Sequence, residues 1–251
     1  MRAVILAAGM GKRLTPAGTT PPPKCLLRFG GHSLLERHLR LLRSVGVDAV
    51  TVVTGYAQEQ IAAELDALSW APRPQLLHNP RFELGSVLSV HVAHEALCAG
   101  GDVLLMDADV LYDPRILGTL ASGEHADRVP YDTGFEPGDE PVKLCLDQGR
   151  IVELRKRVAP NLHYDTVGET VGFFRFTANT VVRFAEIVAA YVASDRADQP
   201  HEEALRDLFL ENPDGFNVVD IAGLPWLEID FPADLERARD EVLPRLPALP
   251  T

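Results

Sequence analysis

The chain has little cysteine, and what it has is not arranged for bridges or for metal. Cys25, Cys98 and Cys145 are an odd number with no Cys-x-x-Cys pair. That excludes a disulfide framework and a thiolate zinc site, and it points to a reducing compartment, read here as the cytoplasm. The eight histidines show no metal-ligand spacing. No apolar run approaches the roughly 18 residues of a membrane span, so no membrane partner is expected. The apolar stretch at the N-terminus is too short for a secretion signal and passes at once into chemistry-bearing sequence. Positive charge is scarce too: 24 Lys+Arg stand against 36 Asp+Glu, a formal net charge of −12. A chain this acidic is a poor binder of nucleic acid, which is held by basic surface. Any anionic ligand must then be held by local cations or metal, not by the overall field. No internal repeat is visible, and the tail with Pro244, Pro247 and Pro250 reads as a frayed end.

What is present is an α/β pattern on a chain of 251 residues, long enough for a sizeable core. Strand-like runs at Ala3–Ala7, Ala49–Thr54, Gln75–His78 and Val103–Asp107 alternate with helical periodicity at Ser33–Val45, Gln58–Ala67, Val87–Leu97 and Pro114–Leu120. Such alternation predicts βαβ units, a mostly parallel central sheet and helices on both faces. After about Tyr131 the texture changes. A hairpin is expected from Val142–Leu146 and Ile151–Leu154 around Asp147-Gln-Gly149, then a strand at Val171–Phe176. Helices follow at Asn179–Ala193 and Glu202–Leu210, strands near Asn217–Ile221 and Trp226–Ile229, and a last helix from Pro232 to Val242. A single domain is expected, with residues 1–130 as a nucleotide-binding half and 131–251 as an acceptor-binding half.

The most informative stretch is the first. Val4, Ile5 and Leu6 form a buried-strand run that leads into Ala7-Ala8-Gly9-Met-Gly11, where small residues let backbone N–H groups close around an anion. Arg13 and Lys24 add fixed positive charge, which together describe a polyphosphate site. Two familiar motifs fail. A P-loop needs Gly ahead of Gly-Lys-Ser/Thr, whereas Leu6 stands at the first position and Arg13 at the hydroxyl position. A dinucleotide fingerprint needs a third Gly where Leu14 stands.

A second constellation is acidic. The apolar run Leu104-Leu-Met ends in Asp107-Ala-Asp109, and Trp226-Leu-Glu228-Ile-Asp230 repeats the theme near the other end. Alternate residues of a strand share a face, and carboxylates ending an apolar strand call for pairing or a metal. Hard oxygen ligands of this kind suit Mg²⁺ beside substrate phosphates. In a parallel sheet ligands bind outside the carboxyl ends of the strands, which puts Ala8–Arg13 and Asp107–Asp109 at one edge. A plainer reading has Asp107 capping a turn and Asp230 charging a helix start, and Asp234 is assigned to that helix-start role. Gly85, Ser86 and Ser89 lead into a helix and offer N–H and O–H groups, although Ser86 is equally an ordinary cap.

Gly9-x-Gly11-x-Arg13-Leu14-x-Pro16 followed by Pro23-Lys24-x-Leu26 resembles the signature of the sugar-phosphate and alcohol-phosphate pyrophosphorylases, a nucleotidyltransferase superfamily. The Pro16-to-Lys24 spacing is about one residue longer than usual in that signature. The resemblance implies a Rossmann-like, GT-A-type fold and transfer of a nucleotidyl group to a phosphate acceptor with release of pyrophosphate. It implies a nucleotide site at Leu6, Ala7, Ala8, Gly9, Gly11, Arg13, Lys24 and Asp107, closed over base and ribose by Gly85, Ser86 and Ser89. It implies Mg²⁺ held by Asp109 and Asp230, and Lys143 and Lys156 on the acceptor phosphate. Arg13, Lys24, Lys143 and Lys156 would carry the catalytic charge. Lys156 on a solvated strand face is the plainer alternative for that residue.

Glu140-Pro-Val-Lys143, Gly168-Glu169 and Trp226-x-Glu228-Ile-Asp230-Phe lean towards the CTP-using branch of phosphocholine, phosphonate and inositol-phosphate cytidylyltransferases. On that reading CTP and a small phosphate or phosphonate are the partners. Trp226 and Glu228 can hold an ammonium group by cation–π contact and charge pairing, although Trp226 can equally be core. Glu169 and Glu202 are further acceptor-side candidates, with a strand-edge charge and a helix first-turn charge as their plainer alternatives. Three functional alternatives stay open: a sugar-1-phosphate nucleotidyltransferase using dTTP, UTP or GTP, a non-catalytic nucleotide-binding regulatory subunit, and a Rossmann dehydrogenase, which Leu14 and Asp107-Ala-Asp109 disfavour. The joint presence of Arg13, Lys24, Asp109 and Asp230 argues against the second. A homodimer is compatible with the sequence but not specified by it.

Overall fold

A computed structural model of the protein describes residues 1–14, 21–123 and 126–250. Pro16 therefore lies outside the described residues. The strands of the first half are β1 (Arg2–Ala7), β2 (Arg28–Phe29), β3 (His32–Ser33), β4 (Val50–Thr54), β5 (Gln75–His78), β6 (Val103–Asp107), β7 (Val110–Tyr112) and β8 (Arg128–Asp132). Those of the second are β9 (Lys143–Asp147), β10 (Arg150–Arg155), β11 (Thr166–Thr170), β12 (Phe173–Phe176), β13 (Asn217–Asp220) and β14 (Trp226–Glu228). The helices are α1 (Leu34–Ser44), α2 (Gln58–Leu68), α3 (Val87–Val92), α4 (His94–Cys98), α5 (Pro114–Ala121), α6 (Ala178–Ala193), α7 (His201–Glu211) and α8 (Pro232–Arg237).

One sheet runs through both halves in the order β10-β9-β11-β8-β12-β6-β1-β4-β5, with β13 beside β8. The β6-β1-β4-β5 block is parallel, as βαβ alternation requires. The pairings from β6 through β12, β8, β11 and β9 to β10 are antiparallel, because the second half is built from hairpins and returns rather than helical crossovers. The fold class is thus the expected Rossmann-like α/β arrangement, with its parallel strands concentrated where the Ala8–Arg13 loop emerges. The β9–β10 hairpin turns on Gln148 and Gly149, both at positive φ (52 and 81), which is the backbone of a tight two-residue turn.

The sheet is covered on both faces. Val4, Leu105 and Phe174 pack with α3, α4, α6 and α7, while Ala3, Ile5, Leu104 and Met106 pack with α1, α2 and α5. Adjacent residues of one strand therefore feed opposite cores, which is why these strands read as unbroken apolar runs. Helix α1 starts at Ser33, whose hydroxyl accepts from the Glu36 N–H at 3.1 Å.

Three expected boundaries differ. The helix expected over Val87–Leu97 is broken at Ala93 into α3 and α4. The strand expected over Val171–Phe176 begins at Phe173, because Gly172 (φ 75) turns the chain out of β11. The last helix leaves α-geometry after Arg237 for a π-turn over Ala238–Val242. Strands β8 and β11 were not expected: Arg128-Val-Pro-Tyr-Asp132 and Thr166-Val-Gly-Glu-Thr170 carry Pro, Gly and charge that dilute the strand signal. No helix of the described residues is long and apolar enough to cross a membrane.

Candidate active site

Parallel pairing sets Leu6 of β1 opposite Asp107 of β6, so the small-residue loop and the Asp107–Asp109 turn leave the sheet at one edge. The late acids reach the same place by a different route. Strand β14 pairs antiparallel with β7, with Glu228 opposite Val110, and the Ile229 N–H donates to the Asp109 carbonyl at 3.0 Å. Carboxylate oxygens of Asp109, Glu228 and Asp230 then all lie within 4.8 Å of one another. The Asp230 backbone is fixed from below: the Asp234 carboxylate accepts from the N–H groups of Asp230 (2.9 Å) and Phe231 (2.7 Å). Asp234 therefore has the helix-start role expected of it.

Lys24 faces this acid group. Its ammonium donates to Asp109 Oδ2 at 2.7 Å and to Asp230 Oδ1 at 2.5 Å. Burial alone would lower its pKa, but the two carboxylates override that and hold it above the ordinary lysine range. Arg13 reaches the other oxygen of Asp230 at 2.7 Å and lies over the Phe231 ring at 4.9 Å from its centroid. Gly11 lets this happen: at φ +60 it turns the loop, and a Cβ there would lie 3.1 Å from Lys24 Cγ. Leu6, Ala7, Gly9, Gly11, Arg13, Lys24 and Asp109 line one cleft of about 170 Å³, and Ala8 lies beneath it, its carbonyl accepting from the Tyr56 N–H at 3.1 Å. Lys12, Cys25 and Ala108 complete the lining and carry no distinctive signal in the sequence, although Lys12 is readable as the next residue of the same loop.

The sequence assigns Glu228 to the acceptor side, on a face shared with Asp230, and the structure sets it among the Asp109 and Asp230 carboxylates. Its side chain opens to the cleft while its carboxyl sits among other acids. Desolvation, then the like charges of Asp109, Asp230 and Asp107, push it well above the usual carboxylate range. Asp107 is raised likewise by burial and then by Asp109 and Glu202. These are acids that want a cation, and the oxygen-only donor set fits Mg²⁺.

A second cleft of about 500 Å³ adjoins the first at Asp230 and Glu140. Glu169, Trp226 and Glu228 line it together, along with Asp132, Glu136 and Arg237. The half-buried Trp226 ring packs against the core and also lines this cleft, and its indole N–H donates to Asp132 Oδ2 at 2.8 Å. Burial and the neighbouring Asp132 push the Glu169 carboxyl up to about 7.

Several expected site residues have other employment. The Lys143 ammonium does not turn into the cleft. It donates to the carbonyls of Gly138 (2.6 Å) and Lys156 (2.7 Å), tying the 138–141 loop to β10's end. Lys156 instead shares Glu140 Oε2 with Arg13, at 3.0 and 2.9 Å. That bridge from Glu140 joins the two halves, and the sequence marks Glu140 only as part of a motif. Glu202 lies away from Trp226, in a third cleft lined by Glu140, Lys156 and Glu203. Gly85, Ser86 and Ser89 do not line the phosphate cleft. A Cβ on Gly85 would lie 2.1 Å from the Gln199 carbonyl, and Ser86 Oγ accepts from the His201 N–H at 2.8 Å. Ser89 Oγ accepts from the buried Asn79 side chain at 3.0 Å. Gly85 and Ser86 set α3 against the start of α7, Ser89 ties it to the segment after β5, and Ser86 caps no turn of its own helix.

Comparison with known proteins agrees with this geometry. Residues 3–157 match the MobA-like NTP transferase domain. A bifunctional IPC transferase and DIPP synthase of Rubrobacter xylanophilus is 29% identical over 96% of this chain and 52% of its own length. A CTP:phosphoglutamine cytidylyltransferase of Campylobacter jejuni is 23% identical over 94% of this chain and 98% of its own. A CMP-5'-(3-aminopropyl)phosphonate synthase of Streptomyces rubellomurinus is 28% identical over 95% of this chain and 38% of its own. The chain thus spans about half or less of two of these relatives and nearly all of the third. The solved inositol-1-phosphate CTP transferase of T. maritima superposes with a TM-score of 0.72 at 22% identity, covering 96% of this chain and 97% of that one. On the family match, the loop-and-acid edge and the shared fold, the chain belongs to the MobA-like NTP transferase family.

Proposed function

We propose that the protein is a CTP-dependent cytidylyltransferase that joins CMP to a small phosphate or phosphonate carrying an amine and releases pyrophosphate. One observation carries the reaction type: Asp109, Glu228 and Asp230 converge on the cations of the Gly9–Arg13 loop and Lys24, at the mouth of two adjoining clefts. CTP use is supported by the CTP in the name of the Campylobacter relative and the CMP in that of the Streptomyces one. The amine is supported by the acceptor cleft, where Asp132, Glu136, Glu169 and Glu228 outweigh Arg237 and Arg245 around Trp226.

In this reading an acceptor oxygen forms a bond to the α-phosphorus, the bond from that phosphorus to the β-phosphate oxygen breaks, and its electron pair leaves with pyrophosphate. The acceptor phosphate is already largely dianionic near neutral pH, so no protein base is required. Arg13 and Lys24 neutralise the triphosphate and the departing pyrophosphate, and Lys156 aims the acceptor. Lys143 acts indirectly by holding the 138–141 loop against Lys156. Asp109, Glu228 and Asp230 would hold Mg²⁺, which supplies charge neutralisation at the phosphates when bound.

The test is pyrophosphate release across four NTPs and a panel of phosphocholine, aminoalkylphosphonates, inositol phosphate and glucose 1-phosphate. CTP with an amine-bearing acceptor is expected to give the highest kcat/KM. A purine nucleotide or a neutral sugar phosphate as the best pair would replace this assignment.

A further inference from the structure

The turn that presents Asp109 is held from behind by a buried histidine. His38, in α1, is fully shielded from solvent. Its Nε2 lies 3.2 Å from the Ala108 carbonyl oxygen, and its Nδ1 lies 3.4 Å from the Tyr112 hydroxyl. A carbonyl only accepts, so Nε2 must carry the proton and donate. Nδ1 is then the acceptor, and the Tyr112 O–H is its donor. Burial pushes the imidazole down to about 4, so the ring is neutral near pH 7 and this one tautomer satisfies both partners. The ring is also caged: it stacks on Tyr112 at 5.4 Å between centroids and meets Phe173 edge-on at 6.0 Å.

Ala108 is the residue between Asp107 and Asp109. Its carbonyl is taken by His38, and the next carbonyl, that of Asp109, accepts from the Ile229 N–H at 3.0 Å. Two successive peptide groups of the turn are therefore clamped, one from α1 and one from the segment that carries Asp230. Rotation of either peptide would swing the Asp109 side chain away from Glu228 and Asp230. An aliphatic residue at position 38 would fill much of the same space and make neither bond.

We propose that His38 is a positioning residue, whose Nε2–H, held in a single tautomer by Tyr112, fixes the Ala108 carbonyl and so aims Asp109 at the cation it shares with Glu228 and Asp230. This rests on the reading of those three acids as the metal site. Partners of this kind, one step removed from the ligands, are worth about 10–100-fold in metal affinity.

The experiment measures Mn²⁺ binding directly, by the electron paramagnetic resonance of free Mn²⁺ in the presence of CTP, alongside thermal unfolding. His38→Phe keeps the aromatic packing and loses both bonds; the Mn²⁺ dissociation constant should rise about 10-fold. His38→Gln restores an amide donor for Ala108 and should remain within about 3-fold of the parent. Tyr112→Phe removes only the hydroxyl and should weaken binding by an intermediate factor; it serves if His38→Phe does not fold. Equal losses in the Phe and Gln variants would mean that packing alone matters, and the inference fails. It fails also if the His38 and Tyr112 variants bind Mn²⁺ like the parent while Asp109→Asn does not, although the metal reading then stands. If Asp109→Asn itself retains Mn²⁺, the metal reading fails and takes this one with it.

Discussion

The Lys24 ammonium lies 2.5 Å from Asp230 Oδ1, although 206 positions separate the two residues. This contact ties the chain just after the Gly9–Arg13 loop to the last acid of the carboxylate cluster. It also explains how three carboxylates tolerate one another: without the ammonium, Asp109 and Asp230 face each other with Glu228 close by.

Lys24→Met should therefore do more than slow the reaction. Leaving two partly buried carboxylates unpaired should cost about 1–3 kcal/mol, below the roughly 3–5 kcal/mol of a fully buried pair because all three side chains keep some exposure. Thermal melts with and without millimolar Mg²⁺ check this. The deficit should shrink when Mg²⁺ is present, and an unchanged melting temperature without metal would mean that the bridge carries no stability.

Asp109→Asn and Asp230→Asn should each lower kcat at saturating Mg²⁺ by at least about 100-fold, with little change in the circular dichroism spectrum. The charge is lost while the shape is kept. A variant with turnover close to the parent would remove that residue from the metal group.

Glu169 should make stability depend on pH. Its folded-state pKa of about 7 lies above the ordinary value of 4.5, so the folded protein binds the extra proton. The contribution is complete below about pH 4.5 and is lost as pH rises towards and through 7. Glu169→Gln should flatten that segment of the curve relative to the parent. The same titration should strengthen binding of an amine-bearing acceptor between pH 6 and 8, as the carboxylate forms. An amine-free phosphate acceptor reports the acceptor's own ionisation, and equal pH profiles for the two acceptors would rule out an ammonium contact at Glu169.

Gly172→Ala should be costly in two ways. The residue has φ 75, and an added Cβ would lie 2.3 Å from Asp107 Oδ2. Left-handed backbone and displaced carboxylate together should cost about 1–3 kcal/mol in urea unfolding and reduce activity. Gly149 has φ 81 and nothing within 4 Å of such a Cβ, so Gly149→Ala measures the backbone cost alone. Equal effects at both positions would show that Asp107 is not crowded by residue 172.

Much of the active edge is legible in the amino-acid sequence. The phosphate loop is local: one strand, one small-residue turn and Arg13 follow each other along the chain, so spacing alone describes it. Asp107 and Asp109 are legible because carboxylates ending an apolar strand need an explanation. Lys143 is not, since a lysine in an apolar run looks the same whether it meets a substrate or, as here, backbone carbonyls. Ser86 and Ser89 are ambiguous for a similar reason: hydroxyls near a helix start can face a ligand or stitch the protein to itself, and both have partners within the chain.

The α/β class, the parallel block, the sheet edge shared by the Ala8–Arg13 loop and the Asp107–Asp109 turn, and the family resemblance are all written in the amino-acid order, because each depends on residues close together in the chain or on a repeating pattern. Tertiary structure alone decided that Glu228 joins Asp109 and Asp230, that one Glu140 oxygen joins Arg13 to Lys156, and that His38 stands behind Ala108. The first arises from the β7–β14 pairing, the second from the loop that carries Glu140, and the third from the docking of α1 behind the sheet edge. Pairing partners distant in sequence are selected by burial and backbone hydrogen bonding across the whole fold, and no local spacing records that choice.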